Sequence, residues 1–120
     1  MRVTESKENY LEIIHILKTK QKEVHAVDIA KYLGFARASV SIALKALKDE
    51  KYISIDEDSH ITLTPKGKTV AKKVYEKHKI LTAWFTAMGV DEKTALEDAC
   101  KIEHVISEKS FRAIKRYLNK

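Results

Sequence analysis

The sequence predicts a mostly α-helical protein in which a winged helix precedes a second, wholly helical half. Three observations carry that reading. Only three glycines and one proline punctuate the 120 residues, so long helices with tight connections are expected rather than a turn-rich sheet. Apolar residues recur with a period of about 3.6 along most of the chain and with a period of about 2 in one short stretch. Ala30, Gly34 and Val40 stand at offsets of four and six residues, the spacing of two helices joined by a sharp glycine turn.

Each element follows in order. Tyr10, Ile13, Ile14 and Leu17 recur at i, i+3, i+4 and i+7 and predict a first helix from about Ser6 to Lys20. A short second helix covers Val24 to Leu33 and ends near Gly34. Val40, Leu44 and Leu47 mark a third, from about Ala36 to Glu50. Then the period changes: Ile53 and Ile55, the polar turn Asp56 to Ser59, and Ile61 and Leu63 alternate as a β-hairpin does. Thr64-Pro65 reads as an N-cap followed by proline at the first helical position. Val70, Val74, His78, Leu81 and Phe85 then share one stripe of a long helix stopped at Gly89. Asp91 caps a fifth helix, to about Ile106, and Ser107 caps a sixth with Phe111, Ile114 and Leu118 inside. A boundary near residue 74 separates a first domain, 1–73, from a second, 74–120.

Composition narrows the class. A chain 33% charged and 44% hydrophobic suits one soluble domain or two small ones. No apolar run reaches the roughly 18 residues of a membrane span, and MRVTESKENY lacks the apolar centre of a signal peptide. One cysteine forms no intrachain disulfide, so a cytoplasmic setting is expected. The net charge of +6 favours an anionic partner. In a winged helix that partner is duplex DNA, read by the third helix. Its first residues, Ala36, Arg37, Ala38, Ser39 and Ser41, are placed to reach base edges, with Arg37 suited to guanine. Lys45 and Lys48 lie further along, and Lys66 and Lys68 follow the hairpin, where lysines can meet phosphates. The competing reading of each lysine is a solvated surface residue. The acidic hairpin tip, Asp56 to Asp58, is a poor neighbour for phosphate, and His25 and His60 read as surface or capping residues.

A second chemistry sits near the C-terminus. Cys100, Glu103 and His104 are spaced i, i+3 and i+4, so a helix stacks a thiolate, a carboxylate and an imidazole on one side. All three are ligand types for a first-row divalent ion. His78 lies inside an apolar stripe, where a hydrogen-bonded core histidine is the competing reading. On the first helix Asn9 and Glu12 flank the apolar face; a solvated edge fits Glu12 equally well, and His15 reads as surface or packing.

With these motifs the chain resembles the diphtheria toxin repressor family of iron- and manganese-dependent regulators. The resemblance rests on E-N-Y-L-E-I-I at 8–14, D-I-A-K-Y-L-G at 28–34, and L-T-P-K-G at 63–67. It continues with K-H-K-I-L around His78 and D-A-C-K-I-E-H-V-I-S at 98–107, in order over nearly the whole chain. It implies a winged helix-turn-helix DNA-binding domain followed by a three-helix metal-binding and dimerisation domain, in the short form without an SH3-like third domain. It also implies metal ligands at Cys100, Glu103 and His104, with Asn9, Glu12 and His78 on further ligand positions. Asn9 departs from the family by offering a neutral amide, and Thr82 and Leu96 replace ancillary ligands of the iron branch. Cys100 matches the iron pattern and Glu12 the manganese pattern. Fe(II) or Mn(II) is the expected cofactor, and a thiolate tilts the choice toward iron.

The function so implied is a repressor, not an enzyme. It would bind a palindromic operator as a homodimer when the metal bridges its domains, with no membrane or small-molecule substrate involved. Trp84, Phe85 and Met88 are candidates for the dimer interface. The alternative is a metal-independent winged-helix regulator with a degenerate metal site. A metalloenzyme with Glu103 as general base lacks any nucleophile constellation and leaves the basic recognition helix unexplained, and a winged helix serving protein partners is distinguished by whether neutralising Arg37 matters to DNA affinity.

Overall fold

The computed structural model describes residues 5–120; residues 1–4, part of the segment in which no signal peptide is read, lie outside the described residues. The order is α1 (Glu5–Lys20), α2 (Ala26–Leu33), α3 (Arg37–Asp49), β1 (Ile53–Ile55), β2 (Ile61–Leu63), α4 (Pro65–Ala87), α5 (Glu92–Ile102) and α6 (Glu108–Leu118). It is the winged-helix order, three helices and a hairpin, followed by three helices. The chain divides into two compact units, one ending at Lys72 and the other spanning Lys73–Lys120.

In the first unit the inner faces of α1, α2 and α3 meet the hairpin in one core. Leu11, Ile14, Ile29, Val40, Leu47 and Ile61 are its most deeply buried members. Gly34 closes α2 in the left-handed region at φ 71°, with its amide donating to Ala30 O at 2.8 Å. Only glycine occupies that conformation without steric cost, so the turn between α2 and α3 is set by this residue. The strands pair antiparallel with Ile53 opposite Leu63 and Ile55 opposite Ile61, so the isoleucines the alternation picks out share one face. At the start of α4, Thr64 Oγ accepts from the Gly67 amide at 3.1 Å, the cap the sequence predicts. Gly67 itself presses against the hairpin; a Cβ there would stand 2.0 Å from Tyr52 O.

In the second unit Val74, Leu81, Ala95, Ala99 and Phe111 are buried. Asp91 caps α5 by accepting from the Thr94 amide at 3.0 Å, and Ser107 caps α6 by accepting from Ser110 at 3.1 Å. Lys77 pairs with Glu108 at 3.0 Å, and Lys115 with Glu76 at 3.0 Å.

Expected boundaries move in α2, α3 and α5. Helix two begins at Ala26 rather than Val24, because His25 takes the extended N-cap conformation while its amide donates to the Asp28 carboxylate at 2.9 Å. Helix three covers Arg37–Asp49, one residue shorter at each end than expected. Helix five ends at Ile102, not near Ile106. Ser107 needs an extended backbone (φ −71°, ψ 154°) to cap α6, and the turn that delivers it consumes Glu103 to Ile106.

Candidate metal centre and nucleic-acid face

The turn after α5 is where the second unit concentrates its chemistry. Glu103 is the C-cap residue of α5, its amide donating to Ala99 O at 2.9 Å. Its side chain is 0% exposed. Two imidazoles flank the carboxylate. His78 Nδ1 lies 2.9 Å from Oε2, and His104 Nε2 lies 3.3 Å from Oε1 with its side chain 4% exposed. His78 comes from α4, one turn after buried Val74 and just before buried Leu81, so the apolar stripe aims it inward. Its ring stacks on Tyr75, with centroids 6.5 Å apart and planes 12° from parallel.

This arrangement leaves Glu103 Oε1 buried and without a hydrogen bond. A buried carboxylate oxygen that makes no hydrogen bond, with only the His104 ring nitrogen 3.3 Å away, costs up to about 1–3 kcal/mol. A cation on that oxygen removes the cost, and imidazole with carboxylate is a donor set that suits Fe(II) and Mn(II). The residues present therefore fit a divalent metal. Loading one there requires the imidazole nitrogens that face it to be unprotonated, so uptake releases protons wherever those nitrogens carry them. Cys100, the remaining member of the trio, stands exposed on α5 one turn before Glu103.

The other two expected ligands belong to the first unit. Asn9 is half-buried, and Glu12, at 4% exposed, is buried within the run Tyr10 to Ile14. The solvated-edge reading of Glu12 is therefore corrected. A carboxylate among Leu11, Ile13 and Ile14 is retained only where charge or hydrogen bonds compensate it. His15 is half-buried.

The residues expected to face nucleic acid fall mainly on α3. Val40, Leu44 and Leu47 turn inward, leaving Arg37, Ala38, Ser39, Ser41, Lys45 and Lys48 exposed. Ala36 is the N-cap and makes no side-chain cap, and the first turn carries no acid. Its amides are thus open to an anion. A groove of about 370 Å³ between α3 and the hairpin is lined by Ser41, Lys45, Lys48, Leu44, Ile55 and Ser59, among others. Lys68 is exposed, whereas Lys66 donates to Glu50 O at 3.1 Å and covers the Tyr52 ring at 4.2 Å, which caps α3. Of the two lysines after the hairpin expected to reach phosphate, Lys66 thus also contacts the end of α3 and the Tyr52 ring.

The hairpin is pinned by residues read as surface or capping. His25 Nδ1 lies 3.0 Å from Ser59 O, and His60 Nε2 lies 2.9 Å from Lys18 Nζ. Asp56 Oδ1 accepts from the amides of Asp58 and His60, both at 2.9 Å. The His60 amide, first, and that of Asp58 hold the Asp56 carboxyl below its ordinary range. Ile42 is 72% exposed on α3, in phase opposite the buried Val40, Leu44 and Leu47.

Comparison with known proteins finds two family descriptions along the chain. The family description "iron dependent repressor, N-terminal DNA binding domain" covers residues 2–61. The description "iron dependent repressor, metal binding and dimerisation domain" covers residues 64–120. The chain belongs to the iron-dependent repressor family. An HTH-type transcriptional regulator of Methanocaldococcus jannaschii is 34% identical to this repressor over 120 residues, covering 98% of this chain and 96% of its own. MntR of Bacillus subtilis, an HTH-type transcriptional regulator, is 31% identical over 92% of this chain and 78% of its own length. Among solved structures, the manganese regulator SloR superposes with a TM-score of 0.84 at 26% identity, over 99% of this chain. IdeR of T. acidophilum gives 0.82 at 26%, over the whole of it. This repressor spans 55% of the SloR chain and 56% of the IdeR chain.

The family read from the motifs is thus borne out, and its members are transcriptional repressors rather than enzymes. The metal-independent alternative finds no support among these relatives. Among the described residues, no helix is long and apolar enough to cross a membrane.

Proposed function

We propose that this repressor binds a palindromic operator as a homodimer in the cytoplasm when Fe(II) or Mn(II) joins its two domains. Asn9 and Glu12 would hold the ion from α1, and His78, Cys100, Glu103 and His104 from the second unit. The observation that carries the proposal is Glu103, fully buried between two imidazoles with one oxygen lacking a hydrogen bond. A second buried carboxylate, Glu12, sits on α1 of the DNA-binding unit. When bound, the ion would supply positive charge to both carboxylates.

The chain's own residues do the rest. Leu11, Ile14 and Leu17 anchor α1 in the core that α2, α3 and the hairpin share, so fixing Asn9 and Glu12 would fix the unit that carries the recognition helix. Arg37, Ser39, Ser41 and Lys45 present the reading face, and Lys48 and Lys68 add charge. Two such faces must match half-sites about 34 Å apart. Met88, 56% exposed beside half-buried Trp84 and Phe85, supports an interface between copies there. A shift between inactive and active spacing needs only a few kcal/mol of differential affinity. Cys100 favours iron over manganese, because a thiolate is a soft ligand.

A mobility-shift assay with duplex selected from a random pool tests this reading. Mn(II) or Fe(II) is expected to raise affinity at least tenfold, and Glu103→Ala or His104→Ala to abolish the increase. Unchanged metal dependence in both variants refutes the site assignment.

A further inference from the structure

Ile42 stands on the water-facing side of α3, 72% exposed, while Val40, Leu44 and Leu47 of the same helix are buried. The core does not use it. A β-branched residue is also a weaker helix former than the Ala, Lys or Glu a solvated face ordinarily carries. Ala38, Ser41, Ile42 and Lys45 stand at i, i+3, i+4 and i+7, so the isoleucine occupies the middle of one exposed stripe. Lys45, three residues on, neighbours it, Arg37 and Lys48 are exposed on the same helix, and Asp49, at the far end, is the helix's single acid. One aliphatic knob on a helix with these exposed cations is complementary to a polyanion that displays isolated methyl groups, not to an apolar protein patch. In the major groove of duplex DNA that group is the thymine C5-methyl.

We infer that Ile42 reads thymine, packing its side chain against the C5-methyl at one position of each half-site. Arg37, Lys45 and Lys48 fix the register through charge. Isoleucine has no hydrogen-bonding group, so it selects by the methyl and rejects cytosine, whose ring lacks it. The preference expected from one buried methyl is about fourfold per contact. The inference rests on the DNA-binding function proposed above.

The test uses the 120-residue chain with Mn(II). Duplexes are selected from a randomised pool with the parent protein. Each thymine of the enriched half-site is then replaced singly by deoxyuridine, which lacks only the methyl. Affinities are compared for the parent, Ile42→Ala and Ile42→Gln. At one thymine position the parent is expected to lose about fourfold on deoxyuridine, and Ile42→Ala to show no further loss there. Reselection with Ile42→Gln should move the preference at that position away from thymine. Equal parent affinity for every deoxyuridine duplex, or a full penalty retained by Ile42→Ala, overturns the inference while leaving DNA binding intact. If no duplex is enriched, the DNA-binding function itself fails, and this inference with it.

Discussion

Replacing Glu103 with glutamine keeps the side chain's shape and removes its charge. In the metal-free protein a carboxylate at 0% exposure carries a desolvation cost of several kcal/mol. The contact from His78 at 2.9 Å returns about 1.5–3 kcal/mol of it. Oε1, with no hydrogen bond and only the His104 ring nitrogen at 3.3 Å, leaves up to about 1–3 kcal/mol unrecovered. Glu103→Gln should therefore melt no lower than the parent when both are metal-free. With metal the order reverses. An ion at about 100 times its dissociation constant stabilises the parent by about 2.7 kcal/mol. That is roughly 10 °C in Tm for a chain of this length. A hundredfold loss of affinity reduces the gain to about 0.4 kcal/mol, below roughly 2 °C. Thermal melts followed by circular dichroism, with Mn(II) and with chelator, separate these outcomes. A full metal-induced shift retained by Glu103→Gln, or a metal-free variant several degrees less stable than the parent, refutes the reasoning.

Three further expectations concern the first unit. Gly67→Ala places a methyl against the Tyr52 carbonyl, 2.0 Å from its oxygen, and should cost about 1–3 kcal/mol by overpacking; denaturant unfolding measures it. Neutralising Lys45 by Lys45→Ala should weaken binding to all duplexes and reduce the slope of log affinity on log salt by roughly 1; an unchanged slope would place Lys45 away from the phosphates. Asp56 is held below the ordinary carboxylate range, chiefly by the His60 amide, so the folded state binds fewer protons there than the unfolded chain. Its contribution is present above about pH 4 and lost as pH falls through the lowered value. Hydrogen exchange at His60 and Asp58 should accelerate in that acid window in the parent and lose this dependence in Asp56→Asn.

Much of the fold is legible in the chain because its signals are local. The alternation of Ile53, Ile55, Ile61 and Leu63 is the sheet period itself, and Thr64-Pro65 is a cap with a defined hydrogen bond. Gly34 marks the turn between α2 and α3 because its left-handed backbone admits few other residues. What is not legible depends on competition between neighbours. Ile102 and Ile106 continue a helical period, yet Ser107 must be extended to cap α6, and α5 yields. The same yielding makes Glu103 a turn residue and brings it against His78. The flanks of Glu12 fit an edge or a core, and tertiary packing chooses the core. Lys66 has a lysine's freedom in sequence, but the Glu50 carbonyl and the Tyr52 ring take it up.

The most direct measurement titrates metal into the protein with a selected duplex and follows two signals in one sample. Trp84, the single tryptophan, reports on α4 of the metal-binding half. Anisotropy of labelled DNA reports on the reading half. Both signals are expected to rise together with one midpoint and to collapse together on adding chelator. DNA anisotropy that is already saturated without metal, or that ignores the chelator while Trp84 responds, would contradict metal-controlled repression.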